Sequence, residues 1–246
     1  MIIGLIMGRK GSKGFPKKNL FPILGRPLAW YPMNAAAKCP EIDVSYISTD
    51  DERLMTIARE HGFEIIVRPP ELCTDGALGE AVYIHAYREA LARNPGKSID
   101  LLVLLMCNAP MITTETLSKG INQLLINPEY DSAITVSRYN MWSPLRARKI
   151  DSDGLLQPFV PFDFMGDPKK LSCDRDSQGD VWFADFGVSI IRPRNLEHIE
   201  EGLLPQKWMG KKIFPLNQEA GCDVDYEWQI PTVEWWLRKN GFSPVE

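Results

Sequence analysis

Met1 to Met7 is an almost unbroken apolar run, and Leu101 to Met106 is another. A strand with no polar side must be covered on both faces, which is the condition of an interior parallel strand between helix layers. The rest of the chain alternates accordingly. Helical spacing runs from about Pro27 to Lys38, followed by a strand at Val44 to Ile47. Thr49 and Glu52 have capping-box spacing for a helix through His61. Phe63 to Val67 reads as a strand, Ala77 to Arg93 as a long helix, Glu115 to Ile126 as another, and Ser132 to Ser137 as a fifth strand. Strands alternating with helices predict an α/β fold with a doubly wound, mainly parallel sheet.

The rhythm breaks between about Met141 and Trp182, a stretch holding Pro158, Pro161 and Pro168. So long an irregular segment inside a domain predicts a functional loop or a protruding arm. Its Trp142, Leu155, Leu156, Phe159, Phe162, Phe164 and Met165 need a cover, and a symmetric second subunit is the commonest one. Phe186 to Ile191 returns as a strand, Ile213 to Leu216 is a short strand, and Tyr226 to Lys239 a terminal helix interrupted at Pro231. No repeat or linker appears, so residues 1–246 are expected to form one domain with an insertion at about 141–182.

Composition excludes several classes. Of 246 residues 44% are hydrophobic and 10% aromatic, which argues against disorder. With 28 Lys+Arg against 32 Asp+Glu, no general affinity for nucleic acid or membrane surfaces is expected. Leu101 to Cys107 is too short to span a bilayer, and the chain opens directly on a strand, so no secretory leader is expected. Cys39, Cys73, Cys107, Cys173 and Cys222 are scattered and odd in number, giving neither a zinc site nor a disulfide framework. A reducing, cytoplasmic compartment follows as the expectation. His61, His85 and His198 pair with no nucleophile.

Charge along the chain is far from even. Residues 1–40 hold seven basic side chains (Arg9, Lys10, Lys13, Lys17, Lys18, Arg26, Lys38) and no acid. Five of them crowd into Arg9 to Lys18, interleaved with Gly8, Gly11 and Gly14, just beyond the first strand. Open α/β sheets bind ligands at that edge, and backbone N–H groups, a hydroxyl and cations suit a polyphosphate. The loop is neither a P-loop nor a dinucleotide fingerprint. As a cluster of like charges it is expected to strain the empty fold, so deleting one cation should leave stability unchanged or raised. Far along the chain, Asp223-Val224-Asp225 puts two carboxylates on one side of an extended backbone, where they can hold Mg²⁺ with water and phosphate as its other ligands. Surface acids with Asp225 capping a helix are the alternative.

Arg9-x-x-Ser12-Lys13-Gly14-x-Pro16-x-Lys18-Asn19 resembles the opening loop of the acylneuraminate cytidylyltransferases (CMP-sialic acid synthetases). Ser48-Thr49-Asp50-Asp51, Arg68-Pro69-Pro70-Glu71-Leu72-x-x-Asp75 and Asp223-Val224-Asp225 resemble further landmarks, in the family's order. The resemblance implies a nucleotide-diphospho-sugar-transferase-like fold, Mg²⁺-dependent transfer of CMP from CTP to an acidic, nonulosonate-type sugar, and a homodimer. By the same resemblance Arg9, Gly11, Ser12 and Lys13 would bind nucleotide and phosphates, and Lys18 would stabilise the leaving pyrophosphate. Asn19 would support the loop, Arg68 and Asp75 would lie in or support the nucleotide pocket, and Asp223 and Asp225 would coordinate the metal. Arg9, Lys18 and Asp225 would carry catalysis. Asn108, Arg175 and Gln178 are placed among the substrate contacts. Departures gather on the acceptor side: Met106 to Ile112 lacks the family's glutamine and arginine, and Phe186 to Ile190 lacks its asparagine and tyrosine. Lost polar contacts change specificity strongly, which leaves the acceptor's identity open. Two rival readings are a glycosyltransferase of related fold and a catalytically silent nucleotide-binding module. Pyrophosphate release from CTP in the presence of an acidic sugar separates both from the first.

Overall fold

The computed structural model describes residues 1–11, 14–174 and 178–245. In chain order the strands are β1 (Ile2–Met7), β2 (Pro22–Ile23), β3 (Arg26–Pro27), β4 (Val44–Thr49), β5 (Glu64–Val67), β6 (Leu101–Met106), β7 (Ser132–Arg138), β8 (Arg148–Ile150), β9 (Leu156–Pro158), β10 (Trp182–Ile191) and β11 (Ile213–Gln218). The helices are α1 (Trp30–Ala37), α2 (Glu52–Glu60), α3 (Gly79–Arg93), α4 (Thr114–Ile126), α5 (Arg194–Glu197) and α6 (Ile230–Lys239).

One sheet has the order β11-β7-β10-β6-β1-β4-β5, while β2 pairs β3 and β8 pairs β9 in separate hairpins. β1 runs parallel to β4 and β6, β4 to β5, and β11 to β7; β10 runs antiparallel to both of its neighbours. The expected mainly parallel α/β sheet is therefore present. Alternate residues of β6 serve opposite faces. Leu101, Val103 and Leu105 pack with Met33, Leu54 and Leu117 of α1, α2 and α4. Leu102 and Leu104 pack with Tyr83 and Ala86 of α3. Both layers are apolar, which is why the strand has no polar side.

Two local expectations are corrected. β4 continues through Thr49, paired with Val67, so Thr49 is no helix cap. Asp51 caps α2 instead, its Oδ1 accepting from Arg53 N at 2.9 Å. Pro231 does not interrupt the terminal helix. It sits in the first turn of α6, where its missing N–H costs nothing, after a 3₁₀ turn at Glu227–Gln229.

β7 and β10 are neighbours in the sheet, and the predicted insertion joins them as the tip of one long hairpin, at the same carboxyl edge where β1 and β6 end. β8, β9 and several 3₁₀ turns make up this arm. Its apolar side chains are not covered within the chain: Leu156 is 69% exposed, Phe159 62% and Phe164 81%. Among the described residues no helix is long and apolar enough to cross a membrane.

Candidate active site

The predicted phosphate loop leaves β1 at Met7 and is folded by a third apolar cluster. Phe15, Leu28 and Tyr31 pack there with Val224 and with Val233, Trp236 and Leu237 of α6. This cluster brings residues 14–31 against residues 224–237. Val224 is fully buried, while Asp223 beside it is half-buried and Asp225 exposed. A Cβ on Gly14 would stand 2.9 Å from the Asp225 carbonyl oxygen, so loop and acidic segment touch backbone to backbone.

Arg9, Gly11, Lys18, Asn19, Arg68, Asp75 and Asn108 line one cleft of about 230 Å³ at the carboxyl ends of β1 and β6. Seven of the residues singled out from sequence thus converge on one site. Asp225 joins it through a direct bond, and Asp223 through its neighbour Val224. Lys18 Nζ donates to Asp225 Oδ1, and Asn108 Nδ2 donates to the Val224 carbonyl at 3.2 Å while Val224 N donates back to the Asn108 carbonyl at 2.8 Å. Ser12, Lys13 and Arg175 lie outside the described residues. Gln178 is not at the cleft. It lines a cavity in the arm with Arg146, Arg148 and Phe162, and its Nε2 donates to the Ser172 carbonyl at 2.9 Å.

The loop is less positive than its sequence. Arg9 Nη2 pairs with Asp75 Oδ1 at 2.6 Å, Lys18 pairs with Asp225, and Lys10 N donates to Asp50 Oδ1 at 2.8 Å. Acids from three distant segments reach a stretch that has none of its own, two of them pairing with its cations and Asp50 with a backbone N–H. Asn19 Nδ2 donates to the Arg9 carbonyl at 3.2 Å, which closes the loop on itself and fits its expected supporting part. Arg68 is buried, with Nη2 on the Ser48 carbonyl at 2.6 Å and Nε on Ser48 Oγ at 3.2 Å. It ties β4 to the cleft wall and supports the pocket.

Sequence inspection missed Gln229. Its Oε1 accepts from Asp225 N at 2.7 Å and Tyr226 N at 2.8 Å, and its Nε2 donates to the Asp223 carbonyl at 3.0 Å. One amide therefore fixes the turn that carries both carboxylates. A Gln four residues after an acid pair was the available signal. Asp225 does not act as the alternative helix cap; Tyr226 occupies the cap position. Burial raises the Asp223 carboxyl above the usual aspartate range, Asp225 adds to the rise, and Lys18 and Asn108 pull it back. Burial also pushes Cys107 up to about 12 and raises Cys73, so neither cysteine near the cleft offers a thiolate.

Could the acid pair hold a divalent cation? Mg²⁺ takes one or two protein carboxylates and fills its shell with water and phosphate oxygens. Among the described residues no cluster of three or more ligating side chains exists, so a fully protein-built cage is absent. Two carboxylates close enough to influence each other, beside a phosphate-type loop, fit the open kind of site.

A family model described as cytidylyltransferase matches residues 3–150. The chain is 24% identical over 245 residues to N-acylneuraminate cytidylyltransferase A of Danio rerio, covering 98% of this chain and 52% of that one. It is 25% identical over 229 residues to N-acylneuraminate cytidylyltransferase of Oncorhynchus mykiss, covering 93% and 49%. The chain thus spans about half the length of these relatives. Among solved structures, CMP:2-keto-3-deoxy-manno-octonic acid synthetase complexed with CTP aligns at a TM-score of 0.66 and 15% identity, covering 97% of this chain and 99% of that one. A 4-diphosphocytidyl-2C-methyl-D-erythritol synthase from Anaerococcus prevotii aligns at 0.60 and 14%, covering 96% of each. Both likenesses bear on the fold.

Proposed function

The chain belongs to the cytidylyltransferase family, and from that premise we propose that it transfers CMP from CTP to a hydroxyl of an acidic, nonulosonate-type sugar and releases pyrophosphate. The observation that carries this is the meeting of Arg9, Lys18 and Asn19 with the Asp223–Asp225 pair at one carboxyl-edge cleft. The sugar hydroxyl attacks the α-phosphorus in line, its proton goes to a base, and the bond from the α-phosphorus to the bridging oxygen breaks to free pyrophosphate. Arg9 and Lys18 bind the phosphates and meet the charge that grows on the leaving group. Arg68 and Asn19 hold the walls, so that the reacting atoms are fixed in line. Mg²⁺ held by Asp223 and Asp225 would neutralise phosphate charge when bound.

The protein is proposed to act as a homodimer whose arm, with Arg175 and Gln178, covers the partner's acceptor site. Exposed Leu156, Phe159 and Phe164 on the arm support this. Five free cysteines support a reducing, cytoplasmic setting. The test is turnover with CTP, Mg²⁺ and a panel of acidic sugars, read as pyrophosphate together with a CMP-linked product. Departures at Met106 and Phe186 make sugars other than N-acetylneuraminate part of that panel.

A further inference from the structure

Behind the acidic segment lies a buried carboxylate that the reaction itself does not use. Asp185 is 4% exposed and sits in a bulge of β10, where the register with β7 shifts between Ala184 and Ser189. Three groups donate to it: Ser137 Oγ at 2.7 Å, Gln218 Nε2 at 2.9 Å and Gly187 N at 3.1 Å. All three act as donors, so the acceptor-only carboxylate satisfies them together as they stand. Gln218 gives its amide nitrogen while its own Oε1 stays buried without a partner. The next residue, Phe186, holds a φ of 60°, a left-handed conformation that a bulky side chain rarely adopts. Bulges and such residues gather where a protein re-aims side chains beside a site.

The network leads straight to the metal-type carboxylates. Ser137 Oγ donates to Asp185 and accepts from Gly221 N at 2.8 Å, and Tyr139 OH donates to the Gly221 carbonyl at 2.9 Å. Gly221 is held at both its backbone groups, and a Cβ there would collide with Asp185 Oδ2 and Gln218 Nε2. Two residues further on is Asp223, and then Val224, held at both its backbone groups by Asn108. Asp223 therefore spans two fixed anchors. One is Asn108, just beyond the end of β6, and the other is built from β7 and β10, the two strands that root the arm.

We propose that Asp185 is a positioning residue: through Ser137 and Gly221 it sets where Asp223 and Asp225 present their carboxylates. This rests on the reading that those carboxylates hold the divalent cation of a CTP site. Outer-shell partners of metal-ligating groups commonly matter by about 10- to 100-fold in metal affinity or activity.

Calorimetric titration of the whole chain with CTP, with and without Mg²⁺ and with no acceptor, tests it. Wild type is expected to bind CTP more tightly with Mg²⁺. Asp185→Asn and Ser137→Ala are each expected to lose about tenfold or more of that gain, with metal-free CTP affinity unchanged within about twofold. A merely structural role would lower both affinities alike. Should Asp185→Asn fail to fold, Ser137→Ala carries the test, since it keeps the carboxylate with two of its donors. Full Mg²⁺ gain in folded variants overturns the proposal. A gain absent from wild type, or kept in Asp223→Asn, instead contradicts the metal reading itself and removes the proposal's premise.

Discussion

Lys18 and Asp225 form an ion pair across 207 positions of sequence, so the opening loop and the acidic segment hold each other's charge. Arg9 and Asp75 repeat the arrangement. Both of these cations already face an acid, and a nucleotide entering the cleft exchanges one partner for another. These two pairs are therefore balanced before the ligand arrives.

That balance corrects the expectation that losing a loop cation leaves stability unchanged or raised. Asp225 is about half exposed and Lys18 is not, so the pair is worth at most about 1 kcal/mol. Lys18→Ala should lower the melting temperature by no more than about 2–4 °C, with no rise, as calorimetry reads it. Turnover should fall by roughly 10²- to 10³-fold in a pyrophosphate-release assay. Near-wild-type turnover would remove Lys18 from the phosphate site.

The elevated carboxyl of Asp223 gives a signed pH prediction. Because its native pKa is raised, its buried charge costs stability above that pKa, and the cost lifts as pH falls through it. Cation binding needs the ionised form, so Mg²⁺ affinity should fall over the same interval on acidification. Carbon NMR of the Asp223 carboxyl should show a midpoint above the ordinary aspartate value of about 3.9. Asp225→Asn should move that midpoint down by removing a like charge, and Lys18→Met should move it up. Shifts of opposite sign would contradict the arrangement.

Arg68 offers a separable test of support against binding. Arg68→Met keeps bulk but strips the Ser48 carbonyl of its 2.6 Å donor inside a buried wall. The carbonyl then keeps only the longer bond from Gly8 N at 3.3 Å, and losing its charged donor should cost about 1–3 kcal/mol in urea unfolding. CTP affinity should weaken as well, because Arg68 lines the cleft. A stable variant with normal CTP binding would show that the residue does neither.

Much of this was legible in the chain. Apolar runs such as Leu101 to Met106 announced interior strands because both faces of the sheet are covered. The loop from Arg9 to Asn19 and the Asp223–Asp225 pair declared themselves by residue type and spacing. What stayed hidden depends on contacts far apart in sequence. Asp75 and Asp225 neutralise the loop only after folding, Asn108 grips Val224 across 116 positions, and Asp185 reaches Gly221 only through Ser137. The antiparallel course of β10 was unreadable because its buried residues look the same in either direction.

The arm predicts an assembly. Leu156, Phe159 and Phe164 stand exposed in the single chain, and a second copy would bury them. Light scattering at micromolar concentration should give twice the chain mass, and Phe159→Ser with Phe164→Ser should shift it toward monomer. If arms act across the interface, the heterodimer of an Asp225→Asn subunit with an Arg175→Ala subunit should have about half of the wild-type activity, since one of its two sites then carries neither lesion. No recovery would assign each arm to its own subunit.

The central claim, that the cleft joining Arg9, Lys18 and the Asp223–Asp225 pair transfers CMP, is tested most directly by one incubation. Purified protein, CTP and Mg²⁺ are combined with each of a panel of acidic nonulosonate-type sugars, and pyrophosphate and product are quantified together. At least one sugar should yield pyrophosphate and a CMP-sugar in equal amounts, with both lost in Asp225→Asn. Absence of pyrophosphate with every sugar, or equal yield from Asp225→Asn, would contradict it.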